Sequence, residues 1–272
     1  MGESMKITDE EINQFQSNVL SFYKTHRRDL PWRKTTDPYK ILISELMLQQ
    51  TQVSRVIKYY EKWIKRWPTI DSLVHASRRD VLKAWMGLGY NTRGINLHRA
   101  AQKIVNDYDG DMLEAMKNYK EIPGVGKYTS RAVQIFATNV DLVTVDTNIR
   151  RIFIHEFHLS EDVSDRELWL LAERCLPKGL SRKWHNALMD YGALNLTAQK
   201  TGVQPKTRQS RFEGSDRQIR AQVLRQLLER SLSLSDLQKI LEVEQNRLQR
   251  ILDKMVQGNI IAVKNKRFQV KE

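Results

Sequence analysis

The sequence predicts an all-α fold that carries a small winged-helix-like segment in its C-terminal part. Three observations predict it. Apolar residues recur at helical spacing in one short segment after another from residue 8 to residue 196, the breaks between them are polar or hold glycine and proline, and strand-like composition is confined to residues 258–270, after three helical runs. The chain has 272 residues, enough for more than one core, and contains no repeat or low-complexity stretch. Its 45 Lys and Arg against 32 Asp and Glu give a formal charge of +13. A field of that sign suits a polyanionic partner, and nucleic acid suits it better than a membrane, since no apolar run approaches the roughly eighteen residues of a spanning helix. The start, MGESMKITDEE, lacks the apolar core of a signal peptide, so a soluble, cytoplasmic, nucleoid-associated protein is expected. The single cysteine, Cys175, leaves no intramolecular disulfide and no cysteine-ligated zinc or iron–sulfur site. The six histidines lack close metal spacing, apart from His155 and His158, three residues apart.

In chain order, residues 8–26 read as a helix opened by Thr8 with Glu11 three residues on, a capping box. The polar connection RRDLPWRKTTDP places basic pairs around Trp32. A second helix starts at Asp37-Pro38, an N-cap followed by proline at the first helical position. The segment from Val53 to Trp67 is a third, stopped by Pro68, and another begins near Ser77 and runs through Trp85 to the glycines of GLGY at 87–90. Trp63, Trp67 and Trp85, at helical spacing, are read as core. Helices follow over 97–104, after IPGVG, from 146, near 165–176 and over 182–196, the last with Trp184, Leu188, Tyr191 and Leu194 on its apolar side. Residues 201–215, TGVQPKTRQSRFEGS, have no apolar period and read as a linker. Beyond it come helices near 217–230, 235–241 and 244–255, then two short strands joined at Lys264-Asn265-Lys266, the succession of a winged helix. Residues 201–272 hold fifteen Lys and Arg against eight Asp and Glu, so about a quarter of the chain supplies +7 of the +13; this favours a nucleic-acid face over a dimerisation module.

Four places invite chemistry, each with a plainer structural alternative. Glu45 sits about two turns into a run of Ile41, Leu42, Ile43, Leu46, Met47 and Leu48. Burial without a cationic partner raises a carboxyl pKa and makes a proton donor usable near neutral pH; the alternative is a glutamate at a solvated helix edge. In IPGVGKYTSRAV, 122–133, Gly124 and Gly126 free a turn whose N–H groups can take a phosphate oxygen, with Lys127 adding charge; the alternative is an ordinary helix–helix turn. In TVDTNIRR, Asp146 stands at a helix start, where capping alone explains it, and Arg150 and Arg151 extend the basic character. Tyr90, at the tip of GLGY, is placed either to stack on a base or to pack.

LPWR at 30–33, DPYKILISELMLQQTQV, GLGYNTR at 87–93, IPGVGKYTSRAV and TVDTNIRR, in that order, closely resemble the helix-hairpin-helix base-excision DNA glycosylases, and within them the MutY-like adenine glycosylases. The resemblance covers residues 8 to about 198. It implies a two-lobed helix-hairpin-helix domain over 1–200, lobe one being 1–29 plus 136–200 and lobe two 30–135, followed by the linker at 201–215 and a basic winged-helix-like domain at 216–272. It implies Glu45 as general acid, Asp146 as the shared aspartate facing the same extruded nucleoside from the opposite lobe and kept ionised by its helix N-terminus, and Tyr128 and Asn148 as their partners. Tyr128 stands where strand-cleaving relatives keep a lysine, and a phenol forms no imine, so base removal without lyase activity is expected. DNA contacts are implied for Arg33, Gln50, Thr51, Tyr90, Gly124, Gly126, Lys127, Thr129 and Arg150, with Gln50 filling the gap left by the flipped base and Tyr90 wedged beside its partner. Trp32 and Asp190 are implied at the substrate pocket. The expected partner of this monomer is double-stranded DNA with a mismatched or damaged pair. Excision of adenine opposite guanine or 8-oxoguanine is the function implied first, with excision of thymine or uracil opposite guanine, or DNA binding without catalysis, as the alternative functions of the chain. Two features depart from the resemblance. The four cysteines that usually follow the equivalent of LMDYGAL are missing, so no iron–sulfur cluster and no other cofactor is expected, and a winged-helix-like segment stands where MutY proteins usually carry a Nudix-like domain.

Overall fold

A computed structural model describes residues 7–204 and 211–271 of the protein. In chain order the helices are α1 (Asp9–His26), α2 (Pro38–Leu48), α3 (Val53–Arg66), α4 (Ile70–Val74), α5 (Arg78–Trp85), α6 (Thr92–Tyr108), α7 (Met112–Lys117), α8 (Lys127–Thr138), α9 (Thr147–Glu156), α10 (Asp165–Arg174), α11 (Ser181–Asp190), α12 (Ala198–Thr201), α13 (Asp216–Glu229), α14 (Leu234–Leu241) and α15 (Gln245–Gln257), followed by strands β1 (Ile261–Lys264) and β2 (Arg267–Val270). The all-α reading and the terminal hairpin both hold. β1 and β2 pair antiparallel through a two-residue turn in which Asn265 and Lys266 both take φ near +55°, the geometry that matches strand twist. The capping box of Thr8 and Glu11 forms on α1, and Asp37 accepts the N–H of Tyr39 at 2.9 Å to open α2. Helices α4 and α7 were not legible as periodic segments because five or six residues hold too few apolar positions. Of the expected linker, residues 205–210 lie outside the described residues, while 198–201 form α12.

The chain divides into two compact units. The first comprises, of the described residues, 7–45, 116–120 and 125–204. Its core joins Phe15 of α1, Phe153 of α9 and Trp184 of α11, whose rings meet edge to face with centroids 5.6 to 5.9 Å apart. Cys175 is buried in the same core. Residues 30–45 and 125–135, expected in lobe two, belong to this unit. The helix expected over 182–196 changes character after Asp190: Tyr191–Asn195 is a π-helical turn, and the altered register leaves Leu194 exposed rather than on the apolar side.

The second unit comprises 46–115, 121–124 and 211–271. Trp63, Trp67 and Trp85 are all buried in it, with ring centroids 4.7 and 5.6 Å apart. The C-terminal helices and hairpin share one apolar cluster with Leu82 of α5 and Ile95 of α6, and Met86 packs against it. Two arginines of α5 strengthen the junction, Arg78 donating to the carbonyl of Asn259 and Arg79 to that of Leu228. The C-terminal segment is thus continuous with the core of this unit.

Removal of residues 211–272 uncovers Leu82, Ile95 and Met86, and burial of such side chains contributes about 1.5–3 kcal/mol each. The truncated chain is expected to melt roughly 10 °C lower than the full chain in a thermal unfolding scan. An unchanged midpoint would show that the shared cluster contributes no stability.

Candidate active site

In the first unit two side chains, one from the first turn of α8 and one from the N-cap of α9, act on a buried carboxyl of α2. Glu45 is 8% exposed, on a helix whose residues 41–43, 46 and 47 are also buried. The Tyr128 hydroxyl, in the first turn of α8, donates a hydrogen bond to the Glu45 carboxyl, and Asp146 is near enough to act on it electrostatically. Burial pushes the Glu45 carboxyl up to about 7; the Tyr128 hydrogen bond opposes that rise and the negative charge of Asp146 adds to it. The Tyr128 phenol is pushed well above its ordinary value of 10 by burial and by the two carboxylates, so it remains a neutral donor. Glu45, Tyr128 and Asp146 all fall in the first unit, with the boundary between the units directly after Glu45.

Asp146 is the N-cap of α9 and accepts the N–H of Ile149 at 2.7 Å. Its carboxyl is nevertheless raised. Burial outweighs the hydrogen bonds from the N–H groups of Ile149 and Asn148 and the positive charge of Arg151. The capping position therefore moderates the penalty of burying this anion without cancelling it, contrary to the expected net stabilisation of the ionised form. Asn148 meets Asp146 through its backbone, while its side chain accepts from Arg151 and lies 3.9 Å from the Met189 sulfur. Arg151 in turn donates to the carbonyls of Gly192 at 3.0 Å and Leu196 at 2.8 Å. A Cβ at Gly192 would stand 2.5 Å from Asn148 Oδ1, so only glycine lets the π-helical turn approach α9 so closely. The segment leading to Asp146 is fixed by His185. Its Nε2 accepts the Thr144 N–H at 3.2 Å and its Nδ1 faces the Ser181 carbonyl at 2.8 Å, so the ring is neutral, and burial pulls its pKa down to about 4. A glycine after a helix and an isolated histidine carry no local signal, so the roles of Gly192 and His185 are not legible in the sequence.

Several residues expected at the DNA or the pocket are otherwise engaged. Asp190 is fully buried and binds Arg28 at 2.6 Å and Arg33 at 2.7 and 2.8 Å. Burial acts on its carboxyl most strongly, upward, yet the hydrogen bonds and charges of the two arginines bring it below the ordinary range. Asp190 is therefore an anchor joining α11 to the segment after α1, and Arg33, which also donates to the carbonyls of Arg28 and Asn186, is committed to it rather than to a phosphate. Arg150 is buried and donates to the carbonyl of Glu161, so it does not extend a phosphate track, and Arg151, partly buried, is committed to the carbonyls of Gly192 and Leu196. The Thr129 side chain is buried and thus not available to DNA; Trp32 is buried as well. Lys127 is exposed, with its Nζ 3.9 Å from the centre of the Trp169 ring. Gly126 caps α8 with open space where a Cβ would be. Gly124, in the second unit, has φ +77° and would place a Cβ 2.8 Å from Asn96, so glycine is required there.

In the second unit Gln50 and Tyr90 are both exposed and both hold φ near +50°, a left-handed conformation costly for non-glycine residues. Arg93 holds them there. Its guanidinium donates to the carbonyls of Leu46 at 2.7 Å, Gln49 at 2.5 Å, Leu88 at 3.1 Å and Gly89 at 3.0 Å, and to the Thr51 hydroxyl at 3.1 Å. Burial pulls Arg93 down to about 10, which leaves it charged at neutral pH. Thr51 completes the tie by donating to Leu88 at 3.2 Å. Nothing local to the sequence marks Arg93 for this role, because an arginine three residues past an exposed tip reads as one more surface charge.

Replacing Glu45 by glutamine is expected to stabilise the fold. With an ordinary value of 4.5 in the unfolded chain and about 7 in the folded one, the folded state retains a proton that the unfolded state releases between those pH values. Stability contributed by the protonated carboxyl is complete below pH 4.5 and lost as pH rises through 7, at a cost of roughly 3 kcal/mol. The Glu45→Gln chain should gain on the native chain between pH 4.5 and 7 and hold that gain above it, as read by denaturant unfolding. Parallel stability curves would contradict a buried, proton-retaining Glu45.

Residues 43–178, half of the chain, match the family described as HhH-GPD superfamily base excision DNA repair protein. The chain is 37% identical over 227 residues to an adenine DNA glycosylase of Mycolicibacterium smegmatis, a match covering 76% of this chain and 78% of that protein. It is 34% identical over 203 residues to the adenine DNA glycosylase of Homo sapiens, covering 70% of this chain and 37% of the human protein. A solved structure of a thermostable thymine-DNA glycosylase superposes with a TM-score of 0.67 at 34% identity, over 73% of this chain and 91% of that one. With a buried carboxyl hydrogen-bonded to a phenol near a second carboxylate inside the matched region, the chain belongs to the HhH-GPD superfamily of base excision DNA repair proteins.

Proposed function

We propose that this chain is a monofunctional DNA glycosylase that hydrolyses the N-glycosidic bond of adenine mispaired with guanine or 8-oxoguanine. The observation that supports this reading most directly is the carboxyl of Glu45, which retains its proton to about pH 7 while hydrogen-bonded to Tyr128 beside Asp146. Cleavage requires a proton on the departing purine and a counter-charge for the sugar cation. Glu45 supplies the proton to a ring nitrogen of the flipped adenine as the bond from that base to C1′ breaks. Asp146, ionised, faces the oxocarbenium ion. A carboxylate poorly solvated in the resting protein gains most from a cation developing beside it. Water then adds to C1′ and gives up its proton, leaving free adenine and an abasic site.

Absence of lyase activity is supported by Tyr128, a neutral phenol, and by the placement of Lys127 over the Trp169 ring. A four-thiolate iron–sulfur cluster does not fit the residues present: the one cysteine, Cys175, is packed in the core of the first unit. Gln50 and Tyr90, rigidly presented by Arg93, suit insertion into a duplex from which a base has been withdrawn, and the exposed Lys127 and the turn at Gly126 suit a phosphate. Removal of thymine or uracil opposite guanine is the second reading, favoured by the 34% identity to the thymine-DNA glycosylase structure.

A panel of labelled duplexes carrying single A:G, A:8-oxoguanine, T:G and U:G pairs, treated with the protein and then alkali, is expected to show strand breaks with the adenine mispairs. Breaks before alkali would indicate lyase activity, and breaks only at T:G and U:G would select the second reading. No breaks with any duplex would remove the proposed enzyme.

The single-turnover rate is expected to fall above pH 7 as Glu45 loses its proton, and to fall again in acid, at a higher pH than an ordinary aspartate would give, as Asp146 gains one. The Tyr128 hydrogen bond favours the ionised Glu45, so Tyr128→Phe should move the alkaline limb to higher pH. An alkaline limb displaced downward by Tyr128→Phe would contradict the donor role of the phenol.

A further inference from the structure

Among the described residues, the large apolar side chains left exposed include only two aromatic ones, Tyr90 at 40% and Phe212 at 53%. Both lie in the second unit, and Arg217 faces both. Its guanidinium carbon is 6.0 Å from the centre of the Tyr90 ring and 5.9 Å from that of Phe212, and its Nη1 donates to the Tyr90 hydroxyl at 3.2 Å. Arg93 approaches Tyr90 as well, at 5.6 Å from the ring centre. Two exposed rings that face one guanidinium form a surface suited to an unstacked base, because every base has a face to stack and a purine edge has acceptors to bind.

The cluster is built rather than incidental. On one side, Arg93 holds the loop of Tyr90, and Gly87, at φ +102°, could carry no side chain without meeting the Tyr59 hydroxyl at 2.0 Å. On the other, Arg217 lies in the first turn of α13, whose Ile219, Val223 and Leu224 are core residues. The turn that carries Phe212 is closed by the Ser215 hydroxyl donating to the Phe212 carbonyl at 2.6 Å. It is also tied to α15, where Arg247 donates to the Gly214 carbonyl at 2.6 Å and to Asp216 at 2.9 Å. The C-terminal segment thus delivers Phe212 and Arg217 to the loop on which Tyr90 stands.

We propose that Tyr90, Arg217 and Phe212 form a base-reading site for the purine left unpaired opposite the extruded nucleotide, with Arg217 reading its edge and Phe212 stacking on an exposed base face. This rests on the glycosylase reading above, in which Tyr90 enters the duplex. The planar guanidinium carries donors only, so the edge it reads is rich in acceptors. Guanine, which offers O6 and N7 side by side, fits; cytosine, which presents an amino donor there, does not. The C-terminal segment then selects the opposite base in addition to contributing charge.

The test uses the full-length chain with Glu45→Gln to block turnover, and measures affinity for duplexes in which adenine stands opposite guanine, cytosine or thymine, at one salt concentration. Arg217→Ala and Arg217→Lys are expected to lower the preference for A:G over A:C about tenfold. Phe212→Ala should weaken binding to both mispairs about tenfold and leave the A:T duplex unaffected. Arg225→Ala, which removes the same charge from the exposed side of the same helix, should leave all ratios at their starting values. Equal loss on every duplex, including A:T, from Arg217→Ala and Phe212→Ala would overturn the proposal, and so would full preference retained by Arg217→Lys. The comparison varies the opposite base and requires no catalysis. A wild-type chain that excises no base therefore refutes the glycosylase reading, whereas an opposite-base preference untouched by these variants refutes this one.

Discussion

The hydrogen bond from Tyr128 to Glu45 is the contact on which the proposed chemistry depends. A carboxyl among Ile41, Leu42, Ile43, Leu46 and Met47 is driven toward its neutral form by loss of water, and left to that influence alone it would be a weak acid held too tightly to give up its proton. The phenol draws it back, and Asp146 pushes it up again. The outcome is a donor balanced near neutrality. Burial raises Asp146 as it raises Glu45, which leaves both carboxylates unfavourably ionised in the resting protein; the proposed reaction relieves this by giving one a proton acceptor and the other a cation.

The basic composition has two distinct uses. Arg28, Arg33, Arg93, Arg150 and Arg151 direct their guanidiniums at buried carboxylates and backbone carbonyls, bridging elements distant in sequence. Five donors in a rigid fork let one arginine satisfy the last carbonyls of a helix and the loop beside it, as Arg93 does for α2 and the turn at 87–90. These charges are counted in the +13 but offer little to a polyanion. Total charge therefore overstates what the chain presents to a polyanion, and its distribution defines that better.

The C-terminal segment resembles an appended module in composition and follows a polar stretch, yet its apolar cluster is completed by Leu82 and Ile95 from the middle of the chain. A small three-helix unit with a hairpin has a modest core of its own, and extending that core into α5 and α6 offsets the shortage. The extension also fixes the orientation of α13, and with it Arg217 relative to Tyr90. Stability and the presentation of a surface are here consequences of the same packing.

The sequence by itself determined the helical succession, the capping at Thr8, Asp37 and Asp146, the terminal hairpin, and the odd placement of Glu45 in an apolar helix, because these depend on neighbours within a few residues. The family likeness rested on ordered local motifs for the same reason. Only the tertiary structure decided that Asp190 and Arg33 form an internal ion pair, that Arg150 and Thr129 are buried, that Asp146 is raised despite its capping position, and that Gly192 admits the approach of a π-helical turn to Asn148. Each of these depends on what stands opposite a side chain after the chain has folded back from 40 or more residues away, or on how much water that packing removes, and neither quantity is written in the spacing of residues along a helix.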